Sequence, residues 1–113
     1  LRVIRPSGML DALEVHRRNR DGVSCLLLDG RPVGVAILTR DGQITVFVHP
    51  SAQRKGIGEV AARHLIKVAR QARLRRVHAV SRDGSGGASL ARKIGLQEVR
   101  RDSQRINFEL RLE

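Results

Sequence analysis

The chain has 113 residues, and its 22 Lys+Arg against 11 Asp+Glu give a formal net charge of +11. That length supports one core and one domain, 1–113, and the charge directs attention to anionic partners: nucleotide phosphates, nucleic acid, acidic metabolites or acidic protein surfaces. No run is long and apolar enough to cross a membrane, the single Cys25 excludes an internal disulfide, and no secretory pattern opens the chain, so a reducing cytoplasm is the expected location.

Leu1 is not a Met, so a processed, trimmed or incompletely ordered start is expected. Leu1 to Pro6 alternates as a short first strand. Ser7 or Asp11 then caps a helix running to about Asn19, with Leu10, Leu13 and Val15 on its apolar side. Asp21-Gly22 ends it. Val23 to Leu28 is a strand in which Cys25 is a small core residue. Asp29-Gly30 is a hairpin turn into Pro32 to Thr39, and Asp41-Gly42 a second tight turn into Gln43 to His49. Three antiparallel strands in a row are expected. A helix over about Gly56 to Arg73 turns Val60, Ala61, Leu65, Val68, Ala69 and Ala72 inward and Glu59, Arg63, Lys67 and Arg70 outward, with His64 on its flank and at the surface. Arg76 to Ser81 is a strand, Asp83 to Gly87 a loop, Ala88 to Ile94 a short helix ended by Gly95, and Glu98 to Leu112 a hairpin about Asp102-Ser103.

The segment richest in chemistry is Val46-Phe47-Val48-His49-Pro50-Ser51-Ala52-Gln53-Arg54-Lys55-Gly56-Ile57-Gly58. It is a buried strand, a proline stop, and a basic glycine loop opening into a helix. Glycines let backbone N–H groups approach an anion, and the helix dipole adds about half a positive charge at that end. The spacing Gln-x-x-Gly-x-Gly is neither a Walker loop nor a Gly-x-Gly-x-x-Gly dinucleotide fingerprint. It resembles the acetyl-CoA pyrophosphate loop of the GCN5-related N-acetyltransferase (GNAT) family, Arg/Gln-x-x-Gly-x-Gly/Ala. Leu90-Ala91-Arg92-Lys93-Ile94-Gly95-Leu96 is similar to the same family's Leu-Tyr-Glu-Lys-Leu-Gly-Phe segment. The element order β-α-β-β-β-α-β-α-β-β also matches, except that the family usually carries two helices between its first two strands.

The resemblance implies an α/β (α+β) GNAT fold: a central mixed, mostly antiparallel sheet with splayed fourth and fifth strands, helices on both faces and a shortened N-terminal helical region. It implies acetyl-CoA as co-substrate and no metal. Backbone N–H groups of Gln53, Arg54, Lys55, Gly56, Ile57, Gly58 and Glu59 would hold the pyrophosphate, and Lys93 belongs to the cofactor half. Gly56 and Gly58 are where a side chain would block the approach. Val46, Phe47 and Val48 would bond the pantetheine arm as an added strand, with the N–H near Val48 polarising the thioester carbonyl.

The family's usual proton-transfer groups are missing. Ala91 stands where the last helix usually carries a tyrosine, the chain has no Tyr at all, and Gln43 to Val48 holds no carboxylate. His78, at the centre of the fifth strand, and Ser85, in the loop after it, are the catalytic candidates, with Ser81, Ser89 and Thr45 as weaker relays. His49 is expected to be structural. With one front helix instead of two, the acceptor site is expected to be open or completed by a second subunit in a homodimer, and an open, basic site suits a large acidic acceptor or none. Two functions follow: an N-acetyltransferase acting on an amine, or a non-catalytic acetyl-CoA-binding regulator of a partner protein. Nucleic acid is not expected as the primary partner, because base-stacking aromatics are absent apart from Phe47 and Phe108.

Overall fold

The computed structural model describes residues 13–17, 22–53 and 56–112. Along them run β1 (Leu13–Arg17), β2 (Val23–Leu28), β3 (Arg31–Leu38), β4 (Ile44–Val48), α1 (Ile57–Gln71), β5 (Arg76–Arg82), α2 (Gly86–Lys93), β6 (Gln97–Arg101) and β7 (Arg105–Arg111), with a 3-10 turn over Pro50–Ala52. The strands make two antiparallel sheets, ordered β1-β2-β3-β4 and β5-β7-β6. One parallel bridge joins them, Gln43 to His78, where the His78 N–H donates to the Gly42 carbonyl at 2.9 Å.

The turns set this arrangement. Asp29 (φ 53°) and Gly30 (φ 78°) both adopt left-handed backbone, as a type I′ hairpin turn requires, and its twist suits the flanking strands β2 and β3. The second turn is held by Thr39, whose hydroxyl accepts the Gln43 N–H at 2.9 Å and donates to Asp41. Gly42 completes it at φ 94°, and a Cβ there would lie 2.4 Å from the Arg76 carbonyl oxygen. Only glycine lets β5 come this close to the turn that feeds β4.

Strand alternation sends Leu13, Val15, Leu26, Ala36 and Ile44 to one face of the larger sheet, and Val77, Ile106 and Phe108 to the matching face of the smaller one. There they pack with Ile57, Ala61, Leu65 and Ala69 of α1 and Ala88 and Ala91 of α2 in one core. Full burial of side chains such as Phe108, Leu26 and Ile57 stabilises by about 1.5–3 kcal/mol each. Both helices end in Schellman caps. In α2 the Gly95 N–H reaches the Arg92 carbonyl and the Leu96 N–H the Ala91 carbonyl, with Gly95 at φ 99° and Leu96 buried. The segment Lys93-Ile94-Gly95-Leu96 is therefore a helix stop. None of the described helices is long and apolar enough to cross a membrane.

The structure corrects several expectations. Leu13 and Val15 lie in strand β1, paired with Leu28 and Leu26, and not on a helix ending at Asn19. The expected strand Leu1 to Pro6 and the start of that helix lie outside the described residues. Among the described residues, α1 and α2 pack into the same core. His64 is only 8% exposed: it falls at helical spacing from Ile57 and Ala61, on the inner side of α1. Cys25 is half-buried and not core, since the two-residue period that buries Ser24 and Leu26 turns it to the opposite face. Helix α2 begins at Gly86, so part of the expected loop is its first turn.

Candidate functional site

Beyond the Gln43–His78 bridge, β4 and β5 part. The gap is a cleft of about 130 Å³ lined by Thr45 and Val46 of β4, Ala79 and Ser81 of β5, Ala62 of α1 and Leu90 of α2. The His49 N–H donates to the Val33 carbonyl at 2.7 Å. Backbone groups alternate sides along an antiparallel strand, so those of Val46 and Val48 turn toward β5 and the cleft. The Val48 carbonyl accepts the Gln53 side-chain amide at 3.1 Å, leaving the Val48 N–H as the donor. The Phe47 side chain points the other way and is 57% exposed.

The glycine loop lies at the end of β4. The His49 ring caps the 3-10 turn, its Nδ1 accepting the Ser51 N–H at 3.2 Å. Gln53 is engaged twice, by its side chain on Val48 and by its N–H on the Pro50 carbonyl at 3.4 Å. Arg54 and Lys55 lie outside the described residues. Gly56 is the N-cap of α1 at φ 80°, a conformation that favours glycine, and no side chain caps the helix. Among the described residues no side chain bonds the first N–H groups of α1, on Ile57, Gly58 and Glu59, and the dipole favours negative charge beside them. At Gly58 an added Cβ would lie 3.4 Å from Leu90 Cδ2 and 3.8 Å from Val48 Cγ2, ordinary packing distances. An alanine fits there, in keeping with the Gly/Ala alternative of the motif.

Glu59 places a carboxylate in this first turn, where it would oppose an incoming phosphate. Two cations offset it: Lys93 Nζ at 2.8 Å and Arg63 Nε at 3.1 Å. The Lys93 hydrogen bond, then that of Arg63, holds the Glu59 carboxyl below the usual range. Lys93 thereby ties α2 to the start of α1.

His78 stands at the foot of the cleft, on the face away from α1, in a hollow of about 530 Å³ shared with Val80, Asn107 and Glu109. Its Nε2 lies 3.4 Å from Asp41 Oδ2. The Thr39 hydroxyl holds the Asp41 carboxyl below its ordinary range, with the turn's backbone and His78 adding to the effect. Sequence reading gives Asp41 only a turn-forming role. Its approach to His78 depends on the contact between the sheets, which has no local signature. Ser85 caps α2, its Oγ accepting the Ala88 N–H at 3.2 Å, and is occupied there. Ser81 faces the cleft beside Gly87, where a Cβ would come within 3.0 Å of its hydroxyl. Thr45 and Ser89 are exposed. Ala91 is 4% exposed and lines the cleft without a titratable group.

The profile of the Acetyltransferase (GNAT) family matches residues 3–95. The chain belongs to the GNAT family. No curated protein matches it. Among solved structures, this GNAT chain is similar to yncA of Salmonella typhimurium with its cofactor acetyl-CoA: 21% identity, TM-score 0.72, covering 80% of this chain and 64% of that one. The ribosomal-protein-S18-alanine N-acetyltransferase from Escherichia coli aligns at 22% identity and TM-score 0.72, over 85% of this chain and 72% of that one. The paiA N-acetyltransferase from Thermoplasma acidophilum in complex with coenzyme A aligns at 15% and TM-score 0.70, over 79% and 59%. At these identities the likeness is one of fold. It supports the mixed α+β architecture with parted fourth and fifth strands. This chain spans less than two thirds of the yncA and paiA chains.

Proposed function

We propose that this GNAT protein is an acetyl-CoA-dependent N-acetyltransferase that moves an acetyl group directly to an amine. The observation that carries the reading is the juxtaposition of an uncapped helix N-terminus on Gly56 with the cleft between β4 and β5. The first-turn N–H groups of α1 would bind the pyrophosphate of CoA, with Arg54 and Lys55 adding charge. The backbone edge of Val46 and Val48 would receive the pantetheine arm, and the Val48 N–H would donate to the thioester carbonyl. The thioester supplies an activated acyl group.

The chain's own residues then manage one proton. Donation of Nε2–H to Asp41 leaves His78 Nδ1 as an acceptor for a proton of the amine. The N–C bond of the amide forms as the C–S bond breaks, and the proton taken up by His78 returns to the CoA sulfur. Holding both reactants in one cleft contributes a large effective concentration. Sharing a titratable pair at the foot of the cleft gives His78 this role over Ser85, which is spent on a helix cap.

A second reading, a non-catalytic acetyl-CoA-binding regulator of a partner protein, is favoured by one observation: Ala91, not a proton donor, lines the cleft. Thiol release from acetyl-CoA with a panel of amines separates the two. The transferase reading expects acceptor-stimulated release, cut about 100-fold by His78→Gln with acetyl-CoA affinity unchanged. Acetyl-CoA binding without release for any amine supports the regulator. Full activity in His78→Gln removes His78 from the mechanism.

A further inference from the structure

Among the described residues no element covers the second face of the smaller sheet. Its other face packs Val77, Ile106 and Phe108 against the helices. Strand register puts Arg76, His78 and Arg82 of β5 on the open face, opposite Arg111, Glu109 and Arg105 of β7. β6 adds Arg100, opposite Asn107. Five exposed arginines therefore share one face: Arg76, Arg82, Arg100, Arg105 and Arg111. They surround hollows of about 370 to 590 Å³.

Their pairing is costly to the free protein. Arg76 lies directly opposite Arg111, and Arg82 directly opposite Arg105, one like-charged pair at each end of the ladder. Among the described residues of the face the carboxylate is that of Glu109, 3.0 Å from Arg76. Among the described residues Arg82, Arg100, Arg105 and Arg111 form no salt bridge. At the border, Asp102 spends Oδ1 on the Gln104 and Arg105 N–H groups, both at 2.8 Å, and Asp41 faces His78. Away from this face, Arg101 meets Glu98 at 2.6 Å and Asp83 at 2.7 Å, and Arg92 meets Glu98 at 3.8 Å. Arg82 and Arg105 on one side and Arg111 on the other therefore flank His78 on one face.

We propose that this face selects the acceptor: a polypeptide segment whose reactive amine lies two to four residues from acidic side chains. The inference rests on the acetyl-transfer reading. Arg76 and Arg82 lie two and four residues from His78 along β5, about 7 and 13 Å at 3.3 Å per residue. An extended acceptor with its amine at His78 brings side chains at those separations over the arginines. A polypeptide fits better than nucleic acid. The open face has no Phe, Tyr or Trp on which bases stack, Phe108 being buried on the opposite side. The exocyclic amines of bases are also weak nucleophiles, because their lone pairs are delocalised into the ring.

The test uses synthetic peptides with one amine and acidic, neutral or arginine-rich flanks, read by thiol release from acetyl-CoA and, independently of turnover, by anisotropy of the labelled peptides. Two or three exposed ion pairs should raise kcat/KM for the acidic flank about tenfold over the neutral one, a gain that falls with added salt. Arg82→Glu with Arg105→Glu should invert the preference toward the arginine-rich flank, and Arg82→Gln with Arg105→Gln should flatten it. Equal kcat/KM for all flanks overturns the inference and leaves acetyl transfer standing. Acid preference unmoved by both double variants also overturns it. A duplex DNA or RNA that binds more tightly than the acidic peptide, and depends on Arg82 and Arg105, overturns the choice of polypeptide. Charge-selective peptide binding with no thiol release from any amine upholds the face and overturns the transferase reading instead.

Discussion

At Gly42 the backbone is left-handed at φ 94°, and an added Cβ would lie 2.4 Å from the carbonyl oxygen of Arg76. Gly58 differs in both respects, with ordinary packing distances around its missing Cβ. Replacing each by alanine therefore separates fold from ligand. Gly42→Ala should destabilise by about 2 kcal/mol or more, because both the backbone conformation and the approach of β5 are violated. Gly58→Ala should stay within about 0.5 kcal/mol of the parent and keep acetyl-CoA affinity. Urea midpoints and calorimetric titrations of the two variants check this. Similar losses of stability in both would mean that the junction between the sheets is not where the geometry locates it.

Between elements, the Glu59–Lys93–Arg63 cluster links the start of α1 to the end of α2. The folded-state pKa of Glu59 is lowered, chiefly by Lys93, from its ordinary 4.5. Its contribution to stability is thus complete above about pH 4.5 and disappears as pH falls through the lower folded value. Glu59→Gln should lower Tm slightly near neutral pH, and the gap to the parent should close below pH 4.5. A gap independent of pH would exclude the ion pairs as its cause. Elements such as these were legible where a local rule decides them. Asp29-Gly30 and Asp41-Gly42 specify the hairpins, and Gly95 followed by Leu96 specifies the stop of α2. The first strand was not legible. Leu10 and Leu13 fit helical spacing while Leu13 and Val15 fit strand spacing, and pairing with β2 decides between them. The glycine loop and the start of α1 were readable because they are contiguous in sequence. The His78–Asp41 approach was not, since it joins a turn to a strand 37 positions later, through a contact between sheets.

For the whole molecule, the formal charge is +11, and five exposed arginines of that excess share one sheet face. Acidic residues neutralise Arg92 and Arg101 beside the helices, while the open face of the smaller sheet keeps its arginines. In the proposed function, the start of α1 would bind the anion and His78 lies on the opposite face, so that two substrates would approach from opposite sides and meet in the cleft. That account depends first on acetyl-CoA occupying the gap between β4 and β5 with its pyrophosphate on α1. The most direct measurement is calorimetric titration of acetyl-CoA into the protein and into Gly58→Asp. An acidic residue in the first turn suits the helix dipole and preserves the fold, but it sets a carboxylate against the phosphates. We predict micromolar binding by the parent and a loss of about 100-fold or more in the variant, with thermal unfolding unchanged. Equal affinity in both proteins, or no binding by the parent, would contradict the account.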